Sequence, residues 1–286
     1  MRVHHLNCGT FCPLGEKFIN GTGSPLGSGK LVCHCFLIES EAGLILVDTG
    51  LGTRDLEAPM ESLPGPFWQA INRAQLDPDE TAIHQIQAMG LNPYDVRHIV
   101  LTHLDFDHAG GLSDFPQAKV HVLATEHEAA MHPSKWIDHE RYAKRQFVHQ
   151  PDWALHMVEG ERWFDFEAVR TLPGIQQEIL LVPLAGHSRG HCGVAVQTPS
   201  GWLLHCGDAF FHHEEMRPDE RRCPPGLRAY QNVFQDDRKL RLHNQERLRE
   251  LARTQRDKVR MVCSHDPDML EPLQVTTRRT NNAYIS

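Results

Sequence analysis

The segment LTHLDFDHAGG, Leu101 to Gly111, sets His103, Asp105, Asp107 and His108 within six residues, directly behind the apolar run Ile99, Val100 and Leu101. Side chains at a strand end alternate in direction, so His103 and Asp105 can reach one point while Asp107 and His108 reach a neighbouring one. Carboxylates gathered at the end of an apolar strand repel one another and lose hydration, and divalent cations remove both penalties. The spacing therefore predicts a metal site, and its geometry suits two ions. With 20 histidines in the chain, a single one carries little weight and clusters must carry the inference.

Elements on both sides must position this cluster. Leu31–Glu39 and Leu44–Val47 read as strands joined by a turn at Glu41-Ala42-Gly43, leading into Asp48-Thr49-Gly50. Ile83, Ile86 and Met89 recur at helical spacing, with Pro78 and Asp79 before them and Gly90 after. Residues 97–102 and 119–123 read as strands, and 125–131 as a helix. In the second half, strands are expected at 179–182, 192–197, 202–206 and 259–263, with a charged helix over about 236–253. Alternating strands and helices favour an α/β layered fold, and the hairpins favour mixed sheets. No Gly/Ser- or Pro-rich linker divides the 286 residues, which are expected to form one domain. The segment from about 132 to 167 carries seven of the 21 aromatic residues, among them Trp136 and Trp153, and reads as a helical insertion, either packed on the core or acting as a lid.

Composition excludes several classes. A net charge of −8, from 29 basic and 37 acidic residues, gives no electrostatic footprint for nucleic acid. No stretch approaches the roughly 20 apolar residues of a membrane span. Eight cysteines without a CxxC, and an N-terminus MRVHHLNC without an apolar core, fit a reduced, cytoplasmic protein. The run GTGSPLGSGK, Gly21 to Lys30, fails the phosphate-loop spacing, since Ser24 stands where the first glycine belongs and Leu31 where the hydroxyl belongs. It reads as a mobile loop. Pro59 to Trp68, PMESLPGPFW, reads as an apolar flap or as ordinary packing.

Further along, Gly186-His187 within GHSRGH, Gly207-Asp208 and Ser264-His265 follow the first cluster in order. With Val47-Asp48-Thr49-Gly50, this series resembles the metallo-β-lactamase-fold hydrolases over about residues 31–267. The resemblance implies an αββα sandwich of two mixed β-sheets flanked by helices, with a dimetal site along one edge. It also implies that His103, Asp105 and His187 hold one metal and Asp107, His108 and His265 the other, with Asp208 bridging. Asp48 and His191 would orient ligands. The remaining histidines, His4, His5, His121 and His205 among them, are expected to be structural.

Asp105 departs from the family pattern, which has histidine there. An extra anionic oxygen makes the site a weaker Lewis acid and shifts preference toward manganese or iron relative to zinc, although zinc remains the first expectation. Alternatively, Asp105 turns away and only orients His103. The chain contains no GxSxG or serine–lysine motif, so a metal-bridging hydroxide is the expected nucleophile, with Asp107 accepting or relaying a proton. Residues 101–111 are most similar to the lactonase branch, which implies cleavage of a lactone, ester or related acyl bond in a small molecule with an apolar part. That branch places a tyrosine three residues beyond the bridging aspartate. Phe211 stands there, and His212 or His213 is the expected substitute donor. Two other classes stay open: a diiron redox protein related to flavodiiron proteins, which would need a separate electron donor because 21 residues follow His265, and a non-catalytic binding protein on the same fold.

Overall fold

Alternation of side chains along the strands decides the layers. In the computed structural model, which describes residues 1–159, 161–169 and 172–283, six strands form one sheet in chain order: β1 (Arg2–Phe11), β2 (Leu31–Ser40), β3 (Gly43–Val47), β4 (Val96–Val100), β5 (Lys119–Leu123) and β6 (Asp152–His156). β1 to β3 run antiparallel and β3 to β6 parallel. A short hairpin, β7 (Glu161–Trp163) and β8 (Phe166–Ala168), precedes the second sheet. That sheet comprises β9 (Ile179–Pro183), β10 (Cys192–Thr198), β11 (Gly201–His205) and β12 (Val259–Val262), in the order β12-β11-β10-β9.

Phe36, Ile38, Ile45, Val47 and Val100 from the first sheet share a core with Ile179, Leu181, Val194, Val196 and Val262 from the second. Their neighbours in sequence point outward. Leu37, Leu46 and Ile99 pack on Ala82 and Ile86 of the helix Ala82–Ala88 and on Ala129 and Ala130 of the helix Ala124–Met131. Leu180, Val182 and Leu204 pack with Leu248 and Leu251 of the helix Arg238–Thr254. Helix, sheet, sheet and helix follow as layers because strands such as β2, β3, β9 and β10 are apolar on both faces. Both sheets are mixed, as the hairpins require.

The segment 132–167 is helical only in part. A helix spans Trp136–Arg141 and a 3-10 turn Lys144–Phe147, after which the chain becomes β6 and the β7–β8 hairpin. Trp153 lies on β6 opposite Val120, with its ring 5.8 Å from Phe147, so it extends the core beside the first sheet. Trp136 is 62% exposed. The aromatic density reflects strand and hairpin packing; Trp163, for instance, stands edge-on to Trp202 at 5.4 Å.

The Gly21–Lys30 run folds back on the short helix Glu16–Ile19, with the Ser24 amide donating to the Glu16 carboxylate at 2.9 Å. A Cβ at Gly23 would stand 2.1 Å from that carboxylate, so glycine here makes room for an acidic side chain and not for a phosphate. The Pro59–Trp68 stretch contributes the helices Pro59–Ser62 and Pro66–Asn72, and the side chains of residues 66–68 lie outside the described residues. All eight cysteines are free, and among the described residues no helix is long and apolar enough to cross a membrane.

Candidate metal centre

Strand direction gathers the predicted residues. β9 and β11 both run antiparallel to β10, and β12 runs parallel to β11, so these three strands end at the same edge. His187, Asp208 and His265 follow their carboxyl ends, and the 103–108 cluster follows that of β4. All seven residues converge there. Asp208 stands at the middle: its Oδ2 lies 3.4 Å from His187 Nε2 and 3.9 Å from His103 Nε2, its Oδ1 lies 3.3 Å from His108 Nε2, and His265 Nε2 lies 3.1 Å from Oδ1 and 3.2 Å from Oδ2. Asp105 Oδ2 completes the first group, 3.0 Å from His187 Nε2 and 3.5 Å from His103 Nε2. Asp107 completes the second, 3.7 Å from His265 and 4.0 Å from His108.

The tautomers of His103, His108 and His265 are fixed from behind, whereas His187 Nδ1 has no partner among the described residues and its Nε2 lies 3.3 Å from Arg141. His103 Nδ1 meets the Thr102 hydroxyl at 2.9 Å, and that hydroxyl donates to Asp48 at 2.8 Å. His108 Nδ1 lies 2.9 Å from the same Asp48 carboxylate, and His265 Nδ1 lies 2.8 Å from the Val32 carbonyl. With Nδ1 donating, each Nε2 presents a lone pair inward, the state a metal ligand needs. His103 Nε2, His108 Nε2 and Asp208 Oδ1 are buried without a hydrogen-bond partner. Buried lone pairs facing buried carboxylates leave a cation as the partner that satisfies both, so the donor set fits two divalent ions.

Asp48 and His191 do stand behind the centre. Asp48 adopts a left-handed φ of 55°, held by the Thr102 amide, the Thr102 hydroxyl and His108. His191 Nε2 accepts from the Asp208 amide at 2.9 Å. Gly207, φ 53°, permits that approach, since a Cβ there would stand 2.5 Å from His191 Nε2. Histidines elsewhere pair among themselves or with other groups, as in the chain of contacts His98–His121–His156 at 3.0 Å each, where burial pushes His121 down to about 3.

Charge distributes unevenly. Burial disfavours ionisation of Asp208, yet His265, His108 and His187 hold its carboxyl well below the usual range. Asp105 is likewise held well below it against burial, chiefly by Arg141 and then His103. Burial raises Asp107, the nearby Asp208 and Asp105 adding to the effect. Burial and Arg141 lower His187 to about 4.

Arg141 and Glu126 are the residues that sequence reasoning missed. Arg141, 2% exposed on the helix Trp136–Arg141, places Nε 3.3 Å from Asp105 Oδ1 and donates to the carbonyls of His187 at 2.8 Å and Phe234 at 3.0 Å. Its charge offsets the extra anion of Asp105, so two dications with three carboxylates and one guanidinium carry the same net charge as a site with histidine at 105. Asp105 also faces both His103 and His187, so it does not turn away.

Buried Glu126 accepts from the amides of Leu104 and Gly190 and the hydroxyls of Ser188 and Tyr142, at 2.7 to 3.2 Å, joining the two ligand-bearing loops. Glu126→Ala is expected to lower the stability of the metal-free protein by on the order of 3 kcal/mol, because four buried donors lose their acceptor. Denaturant unfolding with a change under about 0.5 kcal/mol would show the loops to be held otherwise.

Both expected substitutes for the missing tyrosine have one ring nitrogen engaged. His213 Nδ1 is bound to Asp266 at 2.8 Å, and His212 Nδ1 accepts from the Glu214 amide at 3.3 Å. Tyr230, on the helix Pro225–Val233, has its ring 5.8 Å from Phe211, whose own ring stacks on His265 at 4.9 Å. Burial, then Asp107, Asp208 and Asp105, push its hydroxyl well above the usual tyrosine range.

A sandwich of mixed sheets with a His/Asp centre at the carboxyl edge defines the class: residues 28–263 match the profile of the metallo-beta-lactamase superfamily, and the chain belongs to that superfamily. It is a metal-dependent hydrolase of the lactonase-like branch. It is 40% identical over 272 residues to a probable metallo-hydrolase of Mycobacterium tuberculosis, covering 95% of this chain and 82% of that protein. It is 31% identical over 210 residues to the N-acyl homoserine lactonase of Bacillus thuringiensis, covering 73% and 76%. A solved structure of an N-acyl homoserine lactone hydrolase, with N-hexanoyl-L-homoserine bound at its catalytic metal centre, superposes with a TM-score of 0.68 at 26% identity over 93% of both chains.

Proposed function

We propose that the chain hydrolyses a lactone, ester or related acyl bond of a small molecule with an apolar acyl part. In this reading His103, Asp105 and His187 hold one divalent ion and Asp107, His108 and His265 the other. Asp208 lies between them, and zinc is the preferred metal. The observation that carries it is the central place of the Asp208 carboxylate, with Oδ2 toward His103 and His187, Oδ1 toward His108, and His265 Nε2 within reach of both oxygens at 3.1 and 3.2 Å. When bound, the ions acidify a water and polarise the substrate carbonyl.

The chain's own residues supply the rest. Asp107, whose carboxyl burial pushes up, takes a proton from the attacking water and returns it to the leaving oxygen. Tyr230 donates its hydroxyl to the substrate, the task Phe211 cannot perform. It also lines a cavity of about 520 Å³ whose walls include Leu14, Ile19, Leu31, Ile71, Leu227 and Val233. Leu14, Ile71 and Val233 are exposed large apolar side chains, and an acyl chain laid against them would gain about 0.8 kcal/mol per methylene buried. Recognition of the apolar part is therefore assigned to this cavity and not to Trp136 and Trp153.

Metal-reconstituted protein assayed against lactones, thioesters, aryl esters, phosphodiesters and a β-lactam is expected to favour lactones and esters of longer acyl chains. Tyr230→Phe is expected to lower kcat roughly 10²-fold with little change in KM, and Ile71→Asp to flatten the chain-length preference. Turnover confined to phosphodiesters, with both ions bound, would sink the acyl reading. An unchanged kcat in Tyr230→Phe would remove the hydroxyl from the chemistry.

A further inference from the structure

Cys33 lies on β2 beside the second ligand group. Its sulfur, an Asp107 carboxylate oxygen and a His265 ring nitrogen all lie within 4.8 Å of one another. The placement follows from the backbone. The amides of Val32 and His34 donate to the carbonyls of His265 and Ser264, at 3.4 and 2.9 Å, and His265 Nδ1 is held on the Val32 carbonyl. β2 is thus stitched to the loop that carries His265. Alternation then turns Cys33 to the face opposite that of Val32 and His34.

Cys33 is 2% exposed. The sulfurs of Cys8, Cys192, Cys206, Cys223 and Cys263 each make a hydrogen-bond contact. Among the described residues the Cys33 sulfur, like that of Cys12, makes no hydrogen bond, and of Cys12, Cys33 and Cys35 only Cys33 has ligand-type side chains of the second group within reach. Buried thiols often serve as small apolar fillers, and Cys33 does border the apolar cluster of Cys8 and Leu51, but it also stands beside a metal-competent carboxylate and an imidazole. Among the described residues Asp107, too, has only the distant His108 and His265 nitrogens as partners for its carboxylate, at 4.0 and 3.7 Å.

We propose that Cys33 is a ligand of the second metal position, alongside Asp107, His108, His265 and Asp208. The inference rests on the dimetal reading above and adds a residue to it. A zinc with sulfur at about 2.3 Å and nitrogen or oxygen at about 2.0 Å keeps adjacent donors roughly 3.5 Å apart, so these three need close by at most roughly 1.3 Å. On binding, the S–H bond breaks, the proton leaves to solvent and the freed sulfur lone pair goes to the ion, with no change of oxidation state. The two positions then differ in kind. The first is hardened by Asp105, and the second is softened by a thiolate, which favours zinc or cobalt over manganese.

Cobalt(II) is the probe, because a bound thiolate adds a near-ultraviolet charge-transfer absorption that imidazole and carboxylate ligands do not give. The full chain loaded with two cobalt ions is expected to show that band, and Cys33→Ser to lose it while raising the zinc dissociation constant roughly 10- to 100-fold. Cys33→Val, which keeps the packed volume, should lose the band as well and serves if the serine variant folds poorly. A two-cobalt protein without the band, or a band that survives both substitutions, overturns the inference while leaving the hydrolase reading intact. A chain that takes up no cobalt overturns both. A band in a chain that cleaves no acyl substrate supports Cys33 and removes only the substrate reading.

Discussion

Asp208→Ala is expected to reduce hydrolysis by on the order of 10³-fold, the roughly 4 kcal/mol that a single transition-state contact can supply, and to loosen both ions together. The two effects share a cause. One carboxylate faces His103 and His187 through Oδ2, His108 through Oδ1 and His265 through both, so removing it takes a donor from each position and an anion from between two dications. Asp107→Ala, by contrast, removes a donor from one position only, and the ion beside His103 and His187 should remain. Elemental analysis after dialysis separates the cases: near-complete loss in the Asp208 variant against about one retained equivalent in the Asp107 variant. Retention of both ions by Asp208→Ala, or wild-type turnover, would end the bridging assignment.

The second large effect concerns Asp105 and Arg141. Asp105→His alone restores the usual family ligand but strands a buried guanidinium against a neutral ring, and an uncompensated buried charge costs about 3–5 kcal/mol. Arg141→Met alone leaves Asp105 without its principal counter-charge. The double variant removes both members, so it should be more stable than the sum of the single changes by up to about 3 kcal/mol. Chemical denaturation of the four metal-free proteins measures this coupling, and zinc–manganese competition on the loaded proteins measures its consequence. The double variant should prefer zinc at least as strongly as the parent, and Asp105→His alone should bind the first ion poorly. Additive stabilities would mean that Arg141 serves only its carbonyl partners, His187 and Phe234.

Much of the centre was legible because its residues sit at strand ends in short, ordered motifs. HLDFDH, GH, GD and SH each follow an apolar run, and apolar runs are what sequence reasoning reads best. The partners of those motifs were not legible. Arg141 reaches Asp105 from a short helix, and Glu126 meets Ser188 and Gly190 across more than sixty residues; in sequence each looks like an ordinary charged residue of an exposed helix face. Tyr230 and Cys33 are single residues whose surroundings exist only after the sheets have paired. β1 was missed for another reason. Its RVHHLNCGTF lacks apolar alternation, since the His4 ring is buried against Glu39, and Asn7 and Thr10 bond Glu80. The 132–167 stretch was misread because aromatic content does not distinguish a helix from the β6 strand and β7–β8 hairpin it mostly builds.

The gathering of the ligands from four separate strand ends also constrains how the protein is made. His103 and His265 are 162 residues apart (265 − 103), and at a synthesis rate of about 5–20 residues per second the ribosome needs roughly 8–30 s to pass from one to the other. For that interval the 103–108 cluster lacks His265, and for the first 105 residues of it (208 − 103) it lacks Asp208 as well. An ion captured then is held by half a coordination sphere and exchanges readily. On the dimetal reading proposed above, selection among metals consequently falls to the finished sandwich, after β12 has docked beside β11.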